Sequence, residues 1–303
     1  MRKIFRTHAV GAVLALALVA TACGSGDGAA DGEPITLASF NFNESVIVAE
    51  IYAQGLEANG YEIERKLNLG NREVVKPALE AGEIDLVPEY VGSLAGFLGL
   101  EESADSEATW EAAKTAFEEL GVTLLRYSPA QDKNAYVVTA ETASEFGLST
   151  VSDLQPVAGE LIFGGPPECP ERPLCLVGLQ EVYGLEFAEF VSLDSAGPIT
   201  IAALEGGEID VALLFSTQGI IAANGWVSLE DDMGLNPAEN LVPAIRTEVV
   251  DAYGDDLVAL LESYSEALTT EDLTEMNRRA DLDQEDPALL AEEWLISFGF
   301  IEE

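Results

Sequence analysis

The sequence predicts an α/β fold built as two lobes. Three observations carry that reading. Strand and helix patterns alternate along the chain, one eight-residue segment recurs further on, and about 270 residues follow an N-terminal leader, long for one core and natural for two. An apolar content of 48% is enough for a folded body.

Each element follows from its local pattern. Residues 35–39 read as a short strand. Residues 45–59 read as a helix, with Val46, Ala49, Ile51 and Leu56 apolar and Asn59-Gly60 as its stop. Residues 61–69 read as a strand, 72–81 as a helix and 84–88 as a buried strand. Strand and helix in turn imply a mostly parallel sheet. A final amphipathic helix over 288–298 follows Pro287, at the favoured proline position. Asp281, Asp283, Glu285 and Glu292 are spaced somewhat like a calcium loop. Asp286 stands where such a loop needs Gly, so the segment reads as a turn and no metal site is expected.

The repeat organises the rest. Residues 78–85 (Ala-Leu-Glu-Ala-Gly-Glu-Ile-Asp) recur as 203–210 (Ala-Leu-Glu-Gly-Gly-Glu-Ile-Asp), seven of eight identical at an offset of 125. Each copy reads as a helix end, a glycine in the left-handed cap position, then a buried strand. Five residues past Asp85 is Tyr90, and five past Asp210 is Phe215. In open α/β sheets ligands bind beyond the strand C-termini. Two lobes face to face would set Tyr90 and Phe215 on opposite walls of one cleft, a favoured place for a small molecule. Taken singly, either ring reads better as a core aromatic capping its strand.

The leader gives an address. Arg2, Lys3 and Arg6 precede an apolar stretch over residues 9–20 that is too short to span a bilayer, and Ala20-Thr21-Ala22 leads into Cys23. This is the layout of a signal peptide over residues 1–22. It resembles bacterial lipoprotein signals, in which the cysteine becomes the acylated N-terminus. Residues 23–33, rich in Gly, Ser and Asp, read as a flexible tether. The expected location is extracytoplasmic, with the body held to the membrane by lipid on Cys23.

Composition excludes several functions. The chain carries 55 Asp+Glu against 14 Lys+Arg, a formal net charge of −41. Such a field repels nucleic acid and anionic headgroups, so no nucleic-acid partner is expected. The single histidine, His8, lies in the leader. Ser-His-Asp or Cys-His catalysis and His-based metal sites are therefore unavailable to the mature chain. Cys169 and Cys175 sit close together in a Pro-rich loop of an exported chain, which points to a disulfide.

The segments 38–44 (Ala-Ser-Phe-Asn-Phe-Asn-Glu), 64–70 (Glu-Arg-Lys-Leu-Asn-Leu-Gly), 82–93 with its Pro88-Glu89-Tyr90, Glu171-Arg172-Pro173 and Tyr183-Gly184-Leu185 point to a family. Across nearly all of the mature chain the sequence resembles the solute-binding proteins of ABC importers for glycine betaine, choline, carnitine and related osmoprotectants. The resemblance implies a two-lobed periplasmic-binding-protein fold, type II-like, with the ligand cleft between lobes. It implies a monomer that is not an enzyme, uses no cofactor and delivers its solute to a membrane permease. Lobe 1 is expected over 34–135 plus 240–303, and lobe 2 over 136–239.

That family holds a quaternary ammonium in a box of aromatic rings and a carboxylate, where present, with Arg and hydroxyl groups. By position Tyr90 and Tyr136 match box tyrosines, and Phe215 stands where a third is usual. Arg172 matches the carboxylate arginine, and Ser93 stands for a usual Thr. Phe40 and Asn41 follow the first strand, where the family has Lys at position 40. Glu239 lies where a fourth box tyrosine is usual and could pair with a cation directly. A quaternary ammonium is the leading ligand class; a polyamine, an amino acid, ectoine, or a role as a sensor domain stay open.

Overall fold

The structure is a computed structural model that describes residues 33–100 and 103–302. The expected signal peptide, His8, the lipidation site Cys23 and the tether as far as residue 32 lie outside the described residues.

Two five-stranded sheets share one topology. The first half of lobe 1 runs β1 (Ile35–Phe40), α1 (Asn43–Ala58), β2 (Ile63–Gly70), α2 (Arg72–Glu80), β3 (Leu86–Tyr90), α3 (Val91–Phe97), α4 (Ser106–Glu118) and β4 (Val122–Leu124). Lobe 2 follows as β5 (Asn134–Val138), α5 (Ala140–Phe146), β6 (Ile162–Gly165), α6 (Gly178–Tyr183), β7 (Glu189–Ser192), α7 (Pro198–Glu205), β8 (Val211–Phe215), α8 (Gly219–Ala223) and β9 (Val227–Leu229). The chain then returns to lobe 1 through β10 (Leu241–Arg246), α9 (Thr247–Tyr253), α10 (Asp255–Ala267), α11 (Thr270–Leu282) and α12 (Pro287–Ser297). Strand orders are β2-β1-β3-β10-β4 and β7-β6-β8-β5-β9. In each sheet three strands run parallel, and the fourth, β10 or β5, is antiparallel. None of the described helices is long and apolar enough to cross a membrane.

The elements form where the apolar pattern demands. β3 is buried along its whole length, and α1 buries Val46 to Leu56 almost continuously because it is packed between the sheet, α10, α11 and α12. One core fills lobe 1, and two smaller cores cover the two faces of the lobe 2 sheet. Asp286 caps α12 by accepting from the Ala288 N–H at 2.9 Å, with Pro287 in the first turn. The segment that resembled a calcium loop is tied up in ion pairs: Arg278 holds Asp283 and Arg279 holds Glu285.

The repeat is a repeat in space. Gly82 and Gly207 take φ of 72° and 69°, the left-handed conformation that ends each helix. Asp85 Oδ2 accepts the Thr36 N–H at 2.8 Å, and Asp210 Oδ2 accepts the Ile162 N–H at 2.8 Å. Each aspartate thus fixes the start of a neighbouring parallel strand, β1 or β6.

The chain crosses between lobes twice, and the crossings pair with each other. Gln131 and Asn240 form an isolated antiparallel bridge, with Asp132 N donating to the Glu239 carbonyl at 3.1 Å and Leu241 N to the Ala130 carbonyl at 3.2 Å. Asn134 and Ala135 already pair with β8, so lobe 2 begins two residues before the expected boundary at 136. An antiparallel strand enters its sheet from the cleft side, and its first residues belong to the lobe it enters.

Candidate functional site

The C-terminal ends of β1, β3 and β8 meet at the crevice between lobes and bring four rings together. Phe40 ends β1, Phe42 precedes α1, Tyr90 ends β3 and Phe215 ends β8. Phe42 is the hub: its ring centroid lies 6.0 Å from Phe40, 5.8 Å from Tyr90 and, across the cleft, 5.0 Å from Phe215. These rings line a cavity of about 110 Å³, room for a small solute.

Most residues singled out in the sequence reach this cavity. Tyr90, Phe215, Phe40 and Asn41 line it, as do Ser93, Arg172 and Glu239. Tyr136 does not. It lies 1% exposed in the lobe 2 core, 6.4 Å from Phe163, with its hydroxyl donating to the Leu174 carbonyl at 3.3 Å. The reason is strand geometry. Asn134, at the cleft end of β5, lines the cavity, and Tyr136 is the next residue on the same face, one step deeper. Tyr136 therefore underlies the cleft floor instead of lining the cavity.

Cys169 and Cys175 are joined in a disulfide, with their Cα atoms 5.2 Å apart. The closed loop carries Arg172 on the cleft wall. Arg172 pairs with neither of the local carboxylates as a first partner. Its Nε and one terminal nitrogen donate to Glu73 of α2, across the cleft, at 2.9 and 2.8 Å, while Glu168 stands at 4.0 Å. The guanidinium also lies 5.4 Å from the centre of the Phe97 ring of α3.

A second guanidinium sits deeper. Arg72, at the start of α2, holds Glu89 of β3 through three contacts of 2.8–3.2 Å, both side chains buried, and faces the Phe40 ring at 5.3 Å. Sequence reasoning missed Arg72, Asp132 and Phe42. Phe42 was visible in the 38–44 segment, but only the fold shows it as the ring that both lobes touch.

Carboxyl groups surround the rings. Glu239, 5% exposed, accepts the Ser93 N–H at 2.6 Å. Gly92 makes room for it: a Cβ there would collide with Glu239 and lie 2.6 Å from the Ala238 carbonyl. Burial pushes the Glu239 carboxyl up to about 7, against the pull of Ser93 and Arg72. Glu44, at the start of α1, accepts from the Tyr90 hydroxyl at 2.8 Å and from the Thr217 hydroxyl and the Asn277 amide at 2.6 Å each. Thr217 belongs to lobe 2, so this carboxylate ties the lobes. Asp132, at the crossing, accepts from the Ser216 hydroxyl and the Thr217 N–H, both at 3.1 Å. Burial, then the charge of Glu44, raises Asp132 well above the usual carboxylate range; burial likewise raises Glu44, against its hydrogen bonds.

The arrangement is thus a ring-lined space with buried carboxyl groups on its rim and a carboxylate partner on each of its two arginines. Apolar faces and nearby negative charge attract a cation that offers few hydrogen bonds.

Comparison with known proteins places this geometry. Residues 33–297 match the family model described as the substrate-binding domain of ABC-type glycine betaine transport systems. The glycine-betaine-binding protein of Pseudomonas aeruginosa is 27% identical over 278 residues, covering 88% of this chain and 89% of that protein. The carnitine transport binding protein OpuCC of Listeria monocytogenes is 27% identical over 282 residues, covering 91% of each. A crystal structure of a glycine betaine/carnitine/choline ABC transporter superposes with a TM-score of 0.69 over 88% of this chain and 99% of that one. At 24% identity it speaks for the fold.

Proposed function

The chain belongs to the family of substrate-binding domains of ABC-type glycine betaine transport systems, and from that premise we propose that it captures a quaternary-ammonium solute such as glycine betaine, choline or carnitine. The family consists of solute-binding transport proteins, not enzymes, which work with a membrane permease. The observation that carries the ligand class is the ring set: Phe40, Phe42 and Tyr90 from lobe 1 and Phe215 from lobe 2 around one cavity. A trimethylammonium group cannot donate a hydrogen bond, so aromatic faces recognise it through their electron-rich centres.

In this reading residues 130–134 and 239–241 act as the hinge, and the lobes close over the solute as a monomer. The mature chain is lipidated on Cys23 outside the cytoplasm, and the tether raises its effective concentration at the permease. Calorimetric titration with glycine betaine, choline, carnitine, ectoine, putrescine and basic amino acids tests the ligand class. Saturable binding of at least one quaternary ammonium, weakened about tenfold or more by Phe42→Ala through the loss of the central ring, is the expected result. Binding of only a primary amine, or of nothing at millimolar concentration, overturns it.

A further inference from the structure

A carboxylate stands behind one ring of the cavity wall. Glu44, 4% exposed at the start of α1, does not itself line the cavity. Tyr90 does, and its hydroxyl donates to Glu44 at 2.8 Å. Among the described residues Tyr90 is the one lining ring with a hydroxyl; Phe40, Phe42, Phe97 and Phe215 supply the others.

The bonding around Glu44 calls for an ionised group. The Asn277 amide nitrogen can only donate, and it reaches Glu44 at 2.6 Å. The Thr217 hydroxyl accepts from that same nitrogen at 2.9 Å and so turns its own proton to Glu44. With Tyr90, three donors converge on one carboxyl, and a protonated Glu44 would give up one of them. All three are uncharged, so no bonded cation cancels its charge. Asp132 accepts from Ser216 and Thr217 only. It is the acid raised well above the usual range, by burial and then by the charge of Glu44, so the proton of this pair rests on Asp132. Burial, then the charge of Glu44, also raises the Tyr90 hydroxyl well above its ordinary value, so Tyr90 keeps its proton and stays the donor.

A phenol that donates to a carboxylate gains electron density on its ring, and the negative face of that ring is what attracts a trimethylammonium. In a desolvated site the charge behind the ring acts on the cation with little screening. We infer that Glu44 is a positioning residue for the solute cation: without touching it, Glu44 orients the Tyr90 hydroxyl and makes the Tyr90 ring the most strongly cation-attracting wall of the cleft. This rests on the quaternary-ammonium reading and assigns the source of its charge selectivity.

The test is calorimetric titration of choline, glycine betaine and the carbon isostere of each, in which a tert-butyl head replaces trimethylammonium. The proteins are the intact chain, Glu44→Gln, Tyr90→Phe and the double variant. Glu44→Gln should weaken the better-bound ammonium about tenfold, and Tyr90→Phe about threefold or more. Both changes act through one hydrogen bond, so the double variant should bind within about twofold of Glu44→Gln alone. The isostere, with no charge on its head, should lose less than about twofold in Glu44→Gln, which also certifies a folded cleft. Losses that add in full, or an equal loss for ammonium and isostere, overturn the role of Glu44 and leave the quaternary-ammonium reading standing. Tyr90→Phe keeps the ring and removes its bond to Glu44, so an ammonium affinity unchanged there overturns the inference even where Glu44→Gln does not fold. Absence of ammonium binding by the intact protein overturns the reading itself and the inference with it.

Discussion

The strands that end at Tyr90 and at Phe215 start alike and finish differently. Both follow the repeated helix–glycine–aspartate joint, and both aspartates hold a neighbouring strand at 2.8 Å. Four residues past that aspartate the lobes part. Lobe 1 has Glu89, buried and paired with Arg72; lobe 2 has Leu214, fully buried among apolar neighbours. Lobe 1 therefore places a charged pair directly behind its aromatic wall, whereas lobe 2 supplies a ring on an apolar support and a disulfide-closed loop bearing an arginine. A shared scaffold fixes where the walls stand, and the tips of its strands decide what each wall presents.

The largest effect should come from breaking that contrast at its buried charge. Arg72→Ala leaves Glu89 unpaired in the core and should destabilise the protein by roughly 3–5 kcal/mol in chemical denaturation. Leu214→Ala, the apolar counterpart of Glu89, should cost roughly 2–5 kcal/mol through its cavity alone. Adding Glu89→Leu to Arg72→Ala should recover most of that loss, because the double variant buries no unpaired charge. A loss that Glu89→Leu leaves unchanged would show that the pair contributes only by its packing.

Glu239, at the crossing between lobes, gives the next effect. Its pKa is raised from 4.5 to about 7 by burial, so the folded protein holds a proton that the unfolded chain releases. The associated stability is fully present below about pH 4.5, declines as pH rises and is gone once pH passes about 7, a change of about 3 kcal/mol. Cation affinity should move the opposite way and strengthen as pH rises through about 7, because the ionised carboxylate is the better partner. Glu239→Gln should flatten both profiles; an unchanged affinity profile in that variant would assign the pH response elsewhere.

The smallest effect separates the two joints. Asp85→Ala and Asp210→Ala each remove one acceptor from a strand N–H, at roughly 1–3 kcal/mol. Asp85 also meets Arg246 at 3.1 Å, so its loss should be the larger of the two in denaturant titration. Equal losses would mean that the extra ion pair is as weak as exposed pairs usually are.

Much of this was legible in the sequence, for particular reasons. The repeat exposed both joints, and counting five residues on from each aspartate found Tyr90 and Phe215 at the cleft. The alternation of elements gave the sheets, and proximity gave the Cys169–Cys175 pairing. Tyr136 was misplaced because a strand's period of two says which face a side chain takes and nothing of its depth. The Arg172–Glu73 and Glu44–Thr217 contacts span 99 and 173 positions, and no local pattern encodes which charges meet across a cleft. Arg72 and Glu89 were hidden by burial, since isolated charges in a sequence read as surface.

The position of β10 reaches beyond the cleft. It lies between β3 and β4, and among the described residues β4 pairs with no other strand. Every strand of the second sheet is complete by residue 229, whereas the first sheet waits for residues 241–246. A nascent chain therefore carries all the strands of its middle lobe before those of its first, and a chain that stops short of residue 241 leaves the edge of lobe 1 without a template. The lobe that starts first finishes last, and closing it brings together segments separated by the whole of the other.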